Sequence, residues 1–156
     1  MLTEGELAPD FELEDQTGKR WSLSAELKNG PILLAFFKIA CPTCQLTIPF
    51  LQRLADGEGR TTPQLVAISQ DDPTATRSFH ERFRVSIRTL IDPARTFPVS
   101  NAYRITHVPS LFLIEPDGRI SLATDGFSKA HLEELGRRFG VHIFHPQDRI
   151  PVLQPG

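Results

Sequence analysis

The chain has 156 residues, 40% hydrophobic and 23% charged, with two cysteines and a formal net charge of −2. That length supports one compact core rather than two domains. The near-neutral charge, with Arg and Lys scattered, excludes a nucleic-acid groove or an anionic membrane patch, and no apolar stretch is long enough for a membrane span.

The opening Met1-Leu2-Thr3-Glu4-Gly5-Glu6 is acidic and lacks the basic and apolar regions of a secretory signal. The sequence as given is therefore expected to be cytoplasmic, or extracytoplasmic if a leader or anchor has been removed. Phe11-Glu12-Leu13-Glu14 alternates, Gln16-Thr17-Gly18-Lys19 reads as a turn, and Trp21-Ser22-Leu23 alternates again, which predicts an N-terminal β-hairpin. The run Ile32-Leu33-Leu34-Ala35-Phe36-Phe37 has the composition of a strand buried on both faces.

Cys41-Pro42-Thr43-Cys44 follows that strand and opens a helical pattern carrying Ile48, Leu51, Leu54 and Ala55, which Asp56-Gly57-Glu58-Gly59 ends and Pro49 is expected to kink. Pro42 suits the first helical position, so Cys41 is the expected N-cap. A helix N-terminus offers unpaired N–H groups and a positive dipole end, which favour thiolate over thiol. Cys44 falls one turn deeper on the same face, within bridging reach. The spacing assigns Cys41 as attacker and Cys44 as resolver.

Other readings of this motif are weaker. A closed zinc site would need two ligands from His80, His107, His131, His142 or His145, and the His142/His145 spacing is short for a zinc pair. An all-cysteine iron–sulfur cluster needs about four thiolates. A structural disulfide closing so short a loop removes little chain entropy. A C-x-x-C beside a βαβ pattern reads first as redox, with no metal and no cofactor.

Leu65-Val66-Ala67-Ile68 predicts a second buried strand, and Asp72-Pro73 opens a helix with Phe79 and Phe83 one turn apart. Thr89-Leu90-Ile91 gives a short strand and residues 95–103, with Pro98 inside, an irregular helix. Ser110-Leu111-Phe112-Leu113-Ile114, a turn at Pro116-Asp117-Gly118-Arg119, and Ile120-Ser121-Leu122-Ala123 form a hairpin. Ser128 caps a last amphipathic helix with Leu132, Leu135 and Phe139 on one face, closed by Gly140. The element order implies an α/β fold with a central mixed sheet. Residues 1–140 form the expected domain. The Pro-rich tail 141–156 is too apolar for a linker and is expected to pack on its own domain.

With the dithiol between a buried strand and a helix interrupted by Pro49, the chain resembles the thioredoxin superfamily over most of residues 1–140. Gly5-Glu6-Leu7-Ala8-Pro9-Asp10-Phe11 resembles the opening shared by its alkyl hydroperoxide reductase/thiol-specific antioxidant proteins (peroxiredoxins) and its bacterial thiol-disulfide oxidoreductases of the cytochrome-maturation type, and Val66-Ala67-Ile68-Ser69-Gln70-Asp71-Asp72-Pro73 and Val108-Pro109-Ser110-Leu111-Phe112-Leu113-Ile114-Glu115-Pro116-Asp117-Gly118 resemble later segments of that thioredoxin-like branch. The resemblance implies that Val108-Pro109 is a cis junction facing the dithiol, and that Pro42, Thr43, Val108 and Pro109 contact substrate. Departures are Ala40 where the family commonly has tryptophan, which implies thinner substrate cover, Ala35 where thioredoxin has a buried aspartate, and Thr47 where the maturation type often has glutamate. No acidic proton acceptor is legible. Lys38 beside the motif is a candidate charge for lowering a thiol pKa.

The expected activity is disulfide exchange with a disulfide-containing protein or small thiol substrate, re-reduced by an upstream dithiol reductase; in a reducing cytosol the dithiol acts as a reductant. The alternative is a peroxiredoxin-like thiol peroxidase in which Cys44 attacks peroxide and Cys41 resolves. Aligning Cys44 with the reactive cysteine of Pro-x-x-x-Thr-x-x-Cys puts Phe37 at the proline and Cys41 at the threonine, so the orienting hydroxyl is missing. A third class, a noncatalytic interaction module using the apolar tail, makes the dithiol incidental. The sequence leaves the oligomeric state and the direction of exchange open.

Overall fold

The computed structural model describes residues 1–57 and 63–156. Glu58 and Gly59, read as part of the stop signal of the second helix, lie outside the described residues. The chain begins with the antiparallel pair β1 (Glu12–Glu14) and β2 (Arg20–Ser22). Ser22 accepts from the Ala25 N–H and starts α1 (Leu23–Glu26), a short helix the sequence reading did not anticipate. Then come β3 (Ile32–Phe37), α2 (Pro42–Asp56), β4 (Gln64–Ser69), α3 (Pro73–Phe83), β5 (Arg88–Ile91), α4 (Pro98–Ala102), β6 (Ser110–Ile114), β7 (Ile120–Asp125), β8 (Phe127–Ser128), α5 (Lys129–Phe139) and β9 (Leu153–Gln154).

The central sheet has the order β5-β4-β3-β6-β7, with β3, β4 and β5 parallel and β6 and β7 antiparallel to their neighbours. This is the mixed sheet the element order implies. β3 lies in the middle, every residue of it buried. Because side chains alternate across a strand, Leu33, Ala35 and Phe37 join one core with α2 and α5, while Ile32, Leu34 and Phe36 join a second with Trp21, Leu90, Tyr103 and Phe112. Two cores on one strand are the reason the run is apolar without interruption.

α2 runs from Pro42 to Asp56 with Pro49 inside it as the sequence places it, and the missing N–H leaves one carbonyl a turn earlier without its helical partner. One predicted element differs in detail. The irregular helix expected over 95–103 begins only at Pro98, because Phe97 has φ 41°. Buried Asp92 starts this turn, accepting from the Val99 N–H (3.2 Å), the Ser100 N–H (2.7 Å) and the Ser100 hydroxyl (2.6 Å).

Beyond α5 the chain returns across α2. Ile143 is buried, and the Phe144 ring lies 4.9 Å from that of Phe50 and 6.1 Å from that of Phe127. Arg53 holds Asp148 with two bonds of 2.7 and 3.2 Å and donates to the Ile143 carbonyl at 3.0 Å. That guanidinium and the His145 N–H hold the Asp148 carboxyl down to about 2. Gly136 in α5 gives Val141 room, its carbonyl accepting from the Val141 N–H at 2.8 Å. A Cβ at Gly136 would collide with the Val141 carbonyl.

Gly136→Ala is therefore expected to destabilise the fold. Alanine gains up to about 1 kcal/mol of helix propensity, whereas overpacking against backbone costs about 1–3 kcal/mol. The denaturation midpoint should fall, and a rise would show that residues 141–144 move aside freely.

Candidate functional site

β3 ends in a loop over residues 38–41 that feeds α2. Lys38 is exposed and Ile39 half-buried. The Ile39 N–H donates to Asp71 at 2.8 Å and the Ile39 carbonyl accepts from the Gln45 amide at 2.8 Å, so the loop is fixed from β4 on one side and α2 on the other. Cys41 then has extended φ/ψ of −82° and 116°, and its sulfur accepts from the Cys44 N–H at 3.1 Å. This is an N-cap made by sulfur in place of the usual side-chain oxygen. Pro42, exposed, occupies the first helical turn.

The two thiols have unlike surroundings. Both are free; Cys41 is half-buried, and Cys44 is fully buried at 0% exposure. Burial pushes the Cys44 thiol well above its ordinary pKa, reinforced by its contact with Cys41 and by the negative charges of Cys41 and Asp71, and opposed by the Lys38 backbone. The Cys41 S–H donates to the Val108 carbonyl at 3.4 Å. The Val108-Pro109 bond is cis, Pro109 is buried, and Val108 is half-buried.

Cys41, Pro42, Val108 and Lys38 line one side of a cavity of about 500 Å³, closed by Gln70 from the end of β4, by Phe97, Ser100 and Asn101 around α4, and by Ile105, Thr106 and His107. Gln70 donates to the Ser100 hydroxyl at 2.9 Å, tying that wall to buried Asp92. Thr43, expected to face substrate, instead faces residues 154 and 155. Its hydroxyl donates to the Pro155 carbonyl at 2.6 Å and accepts from the Gln154 amide at 2.9 Å. Ala40 is exposed.

The sequence reading missed Asp71, Gln45 and the Phe97–Ser100 wall. Asp71 carried a signal, since it lies two residues beyond a strand parallel to β3, where a polar side chain reaches the same sheet end. Among the described residues no cluster of His, Cys, Asp and Glu could hold a metal ion, and no helix is long and apolar enough to cross a membrane. The arrangement can trade a disulfide: one accessible sulfur at a helix start and a second beneath it.

Residues 5–123 match the AhpC/TSA family. The chain is 29% identical over 126 residues to the thiol-disulfide oxidoreductase ResA of Bacillus subtilis (strain 168), covering 80% of this chain and 69% of that one. It is 30% identical over 133 residues to ResA of Halalkalibacterium halodurans, covering 84% and 74%. Among solved structures, a thiol-disulfide oxidoreductase from Bacteroides fragilis superimposes with a TM-score of 0.73 at 25% identity, covering 85% of this chain and 99% of that one.

Unequal burial predicts unequal labelling. Iodoacetamide should alkylate Cys41 in the folded, reduced protein and Cys44 only on unfolding. Mass spectrometry of the labelled peptide decides it, and equal rates for the two thiols would refute the division of roles.

Proposed function

The chain belongs to the AhpC/TSA family and is a thiol-disulfide oxidoreductase; from that premise we propose that Cys41 is the attacking sulfur and Cys44 the resolving one, acting on disulfide-containing protein or small thiol substrates. The observation that carries this reading is the sulfur-capped helix: Cys41 accepts the Cys44 N–H at 3.1 Å at the edge of an open cavity, with Cys44 buried below.

In the reductive direction the Cys41 thiolate attacks one sulfur of the substrate disulfide. A mixed disulfide forms and one substrate thiolate leaves, taking a proton from solvent. Cys44 then gives up its proton and attacks Cys41 Sγ, releasing the second substrate thiol. Substrate gains two electrons and two protons, and the protein is left with a Cys41–Cys44 bridge that an upstream dithiol reductase reopens. The reverse sequence oxidises a dithiol substrate. The Cys44 N–H donates to the Cys41 sulfur at 3.1 Å, and Pro42 and Val108 form the surface beside it where substrate docks, with Pro109 buried next in the chain.

Cys41→Ser should abolish exchange, while Cys44→Ser should still attack and accumulate a mixed disulfide visible by intact mass. Because burial raises the Cys44 thiol, its reactive thiolate is scarce at neutral pH and increases as pH rises. Resolution of a preformed mixed disulfide on Cys41 should therefore accelerate about tenfold per pH unit through the range where an ordinary thiol already levels off. A plateau near the usual thiol range would show that the resolving sulfur is not held protonated by burial.

The peroxidase alternative is not favoured. Its attacking sulfur would be Cys44, which is fully buried, and the hydroxyl that would orient peroxide is replaced by Cys41. In stopped flow, the reduced protein should react with a model disulfide far faster than free cysteine does, and with hydrogen peroxide no faster than free cysteine. Fast peroxide consumption that Cys44→Ser removes would reverse the assignment.

A further inference from the structure

Residues 151–156 come back to the dithiol and lie against it. β9 pairs antiparallel with β8, Phe127 opposite Gln154 and Ser128 opposite Leu153, and the Lys129 N–H donates to the Val152 carbonyl at 3.0 Å. Past that short ladder the contacts are with the site. Thr43 uses its hydroxyl proton on Pro155 and one lone pair on Gln154, so its donor and an acceptor site are both engaged by this segment. Gly156 lines the Cys41 cavity and sits so close to the Val108 backbone that a Cβ there would collide with the Val108 carbonyl. Gly126 is crossed just as closely, an added Cβ falling 2.6 Å from the Gln154 carbonyl.

The two halves of the region after α5 are held differently. Residues 141–150 are anchored by buried Ile143, the Phe144 ring and the Arg53 clamp on Asp148. Residues 151–156 bury no large side chain; Val152 and Leu153 are 72% and 69% exposed. Their attachment is a two-residue ladder with the adjoining Lys129–Val152 bond, the two bonds to the Thr43 hydroxyl, and close backbone approaches at Val108 and Gly126. Such a segment opens at a small fraction of the cost of unfolding the domain. Its backbone also lies extended against a loop and a strand edge, the place and posture in which a separate extended peptide would bind.

We propose that residues 151–156 are a displaceable strap that gates access to Cys41 and thereby sets substrate specificity. With the strap seated, Cys41 is reached only from the cavity side, by small or slender disulfides. A polypeptide disulfide enters when its own chain takes the strap's place along Val108 and Thr43. The substrate side of this inference rests on the exchange reading of the dithiol; the gate itself concerns access to the sulfur alone.

The test uses the full chain with Gly156→Ala, which sets a methyl against the Val108 carbonyl, and Gln154→Ala, which removes the donor to Thr43. Neither residue belongs to the hydrophobic cores, so both variants should fold as the parent does. The reduced proteins are labelled with N-ethylmaleimide and with a maleimide carrying a long polyethylene glycol chain. The small reagent should label Cys41 at parental rate, and the large one about five- to tenfold faster in the variants, as expected when an open minority becomes a majority. No change with the large reagent, or an equal rise with both, would overturn the strap. The same proteins are then mixed with oxidised glutathione and with an unfolded polypeptide containing one disulfide, and only the second should speed up. Size-selective labelling without any disulfide exchange leaves the strap standing and the exchange reading lost. Exchange with no size dependence does the opposite.

Discussion

The hydrogen bond from the Cys44 N–H to the Cys41 sulfur is the contact around which the site is organised. It requires Cys41 to leave the helix with extended backbone while Cys44 stays inside it, so one motif puts one thiol at the surface and the other in the core. It also requires the helix to start at once, which Pro42 allows by lacking an N–H that would find no partner there. Everything upstream serves to deliver the chain to this point. β3, buried on both faces, is rigid up to Phe37, and Asp71 and Gln45 take up the polar backbone of the turn that follows.

In the proposed exchange, burial divides the labour between two chemically identical groups. The environment that makes Cys44 hard to ionise also shields it from solvent oxidants and reagents, which leaves it to act on what Cys41 presents. A resolving sulfur needs proximity more than intrinsic reactivity, since a mixed disulfide one turn away is at very high effective concentration. Asp71 adds a negative charge that further disfavours the second thiolate. Its main visible use is mechanical, in holding the Ile39 N–H.

What the sequence disclosed follows from the range of the interactions concerned. The strand 32–37, the cap at Cys41 and the helix starts at Asp72 and Ser128 are local patterns of apolar period, proline and capping residues, and they appear where expected. α1 was within the same vocabulary, since Ser22 is an ordinary N-cap, but the helix is only four residues long. The start of α4 at Pro98 depends on Asp92 reaching forward and on Phe97 adopting a left-handed conformation, neither of which a propensity scale registers. The bond between Thr43 and Pro155 joins residues 112 apart with no shared pattern. The apolar content of residues 141–156 signalled that they would pack, and only tertiary structure could say against what.

The bond from the Cys41 S–H to the Val108 carbonyl has a consequence for the order of events. A sulfur can donate only while it carries its proton. Once ionised it offers that carbonyl nothing, and two electron-rich atoms 3.4 Å apart repel. If Cys41 is the attacking sulfur, the ionisation that arms it also strips the neighbouring loop of its internal partner and leaves the Val108 carbonyl without a donor. An arriving backbone amide can supply one, so in the proposed exchange the protonated sulfur keeps the Val108 carbonyl occupied at rest and loss of that proton frees the carbonyl for an incoming chain.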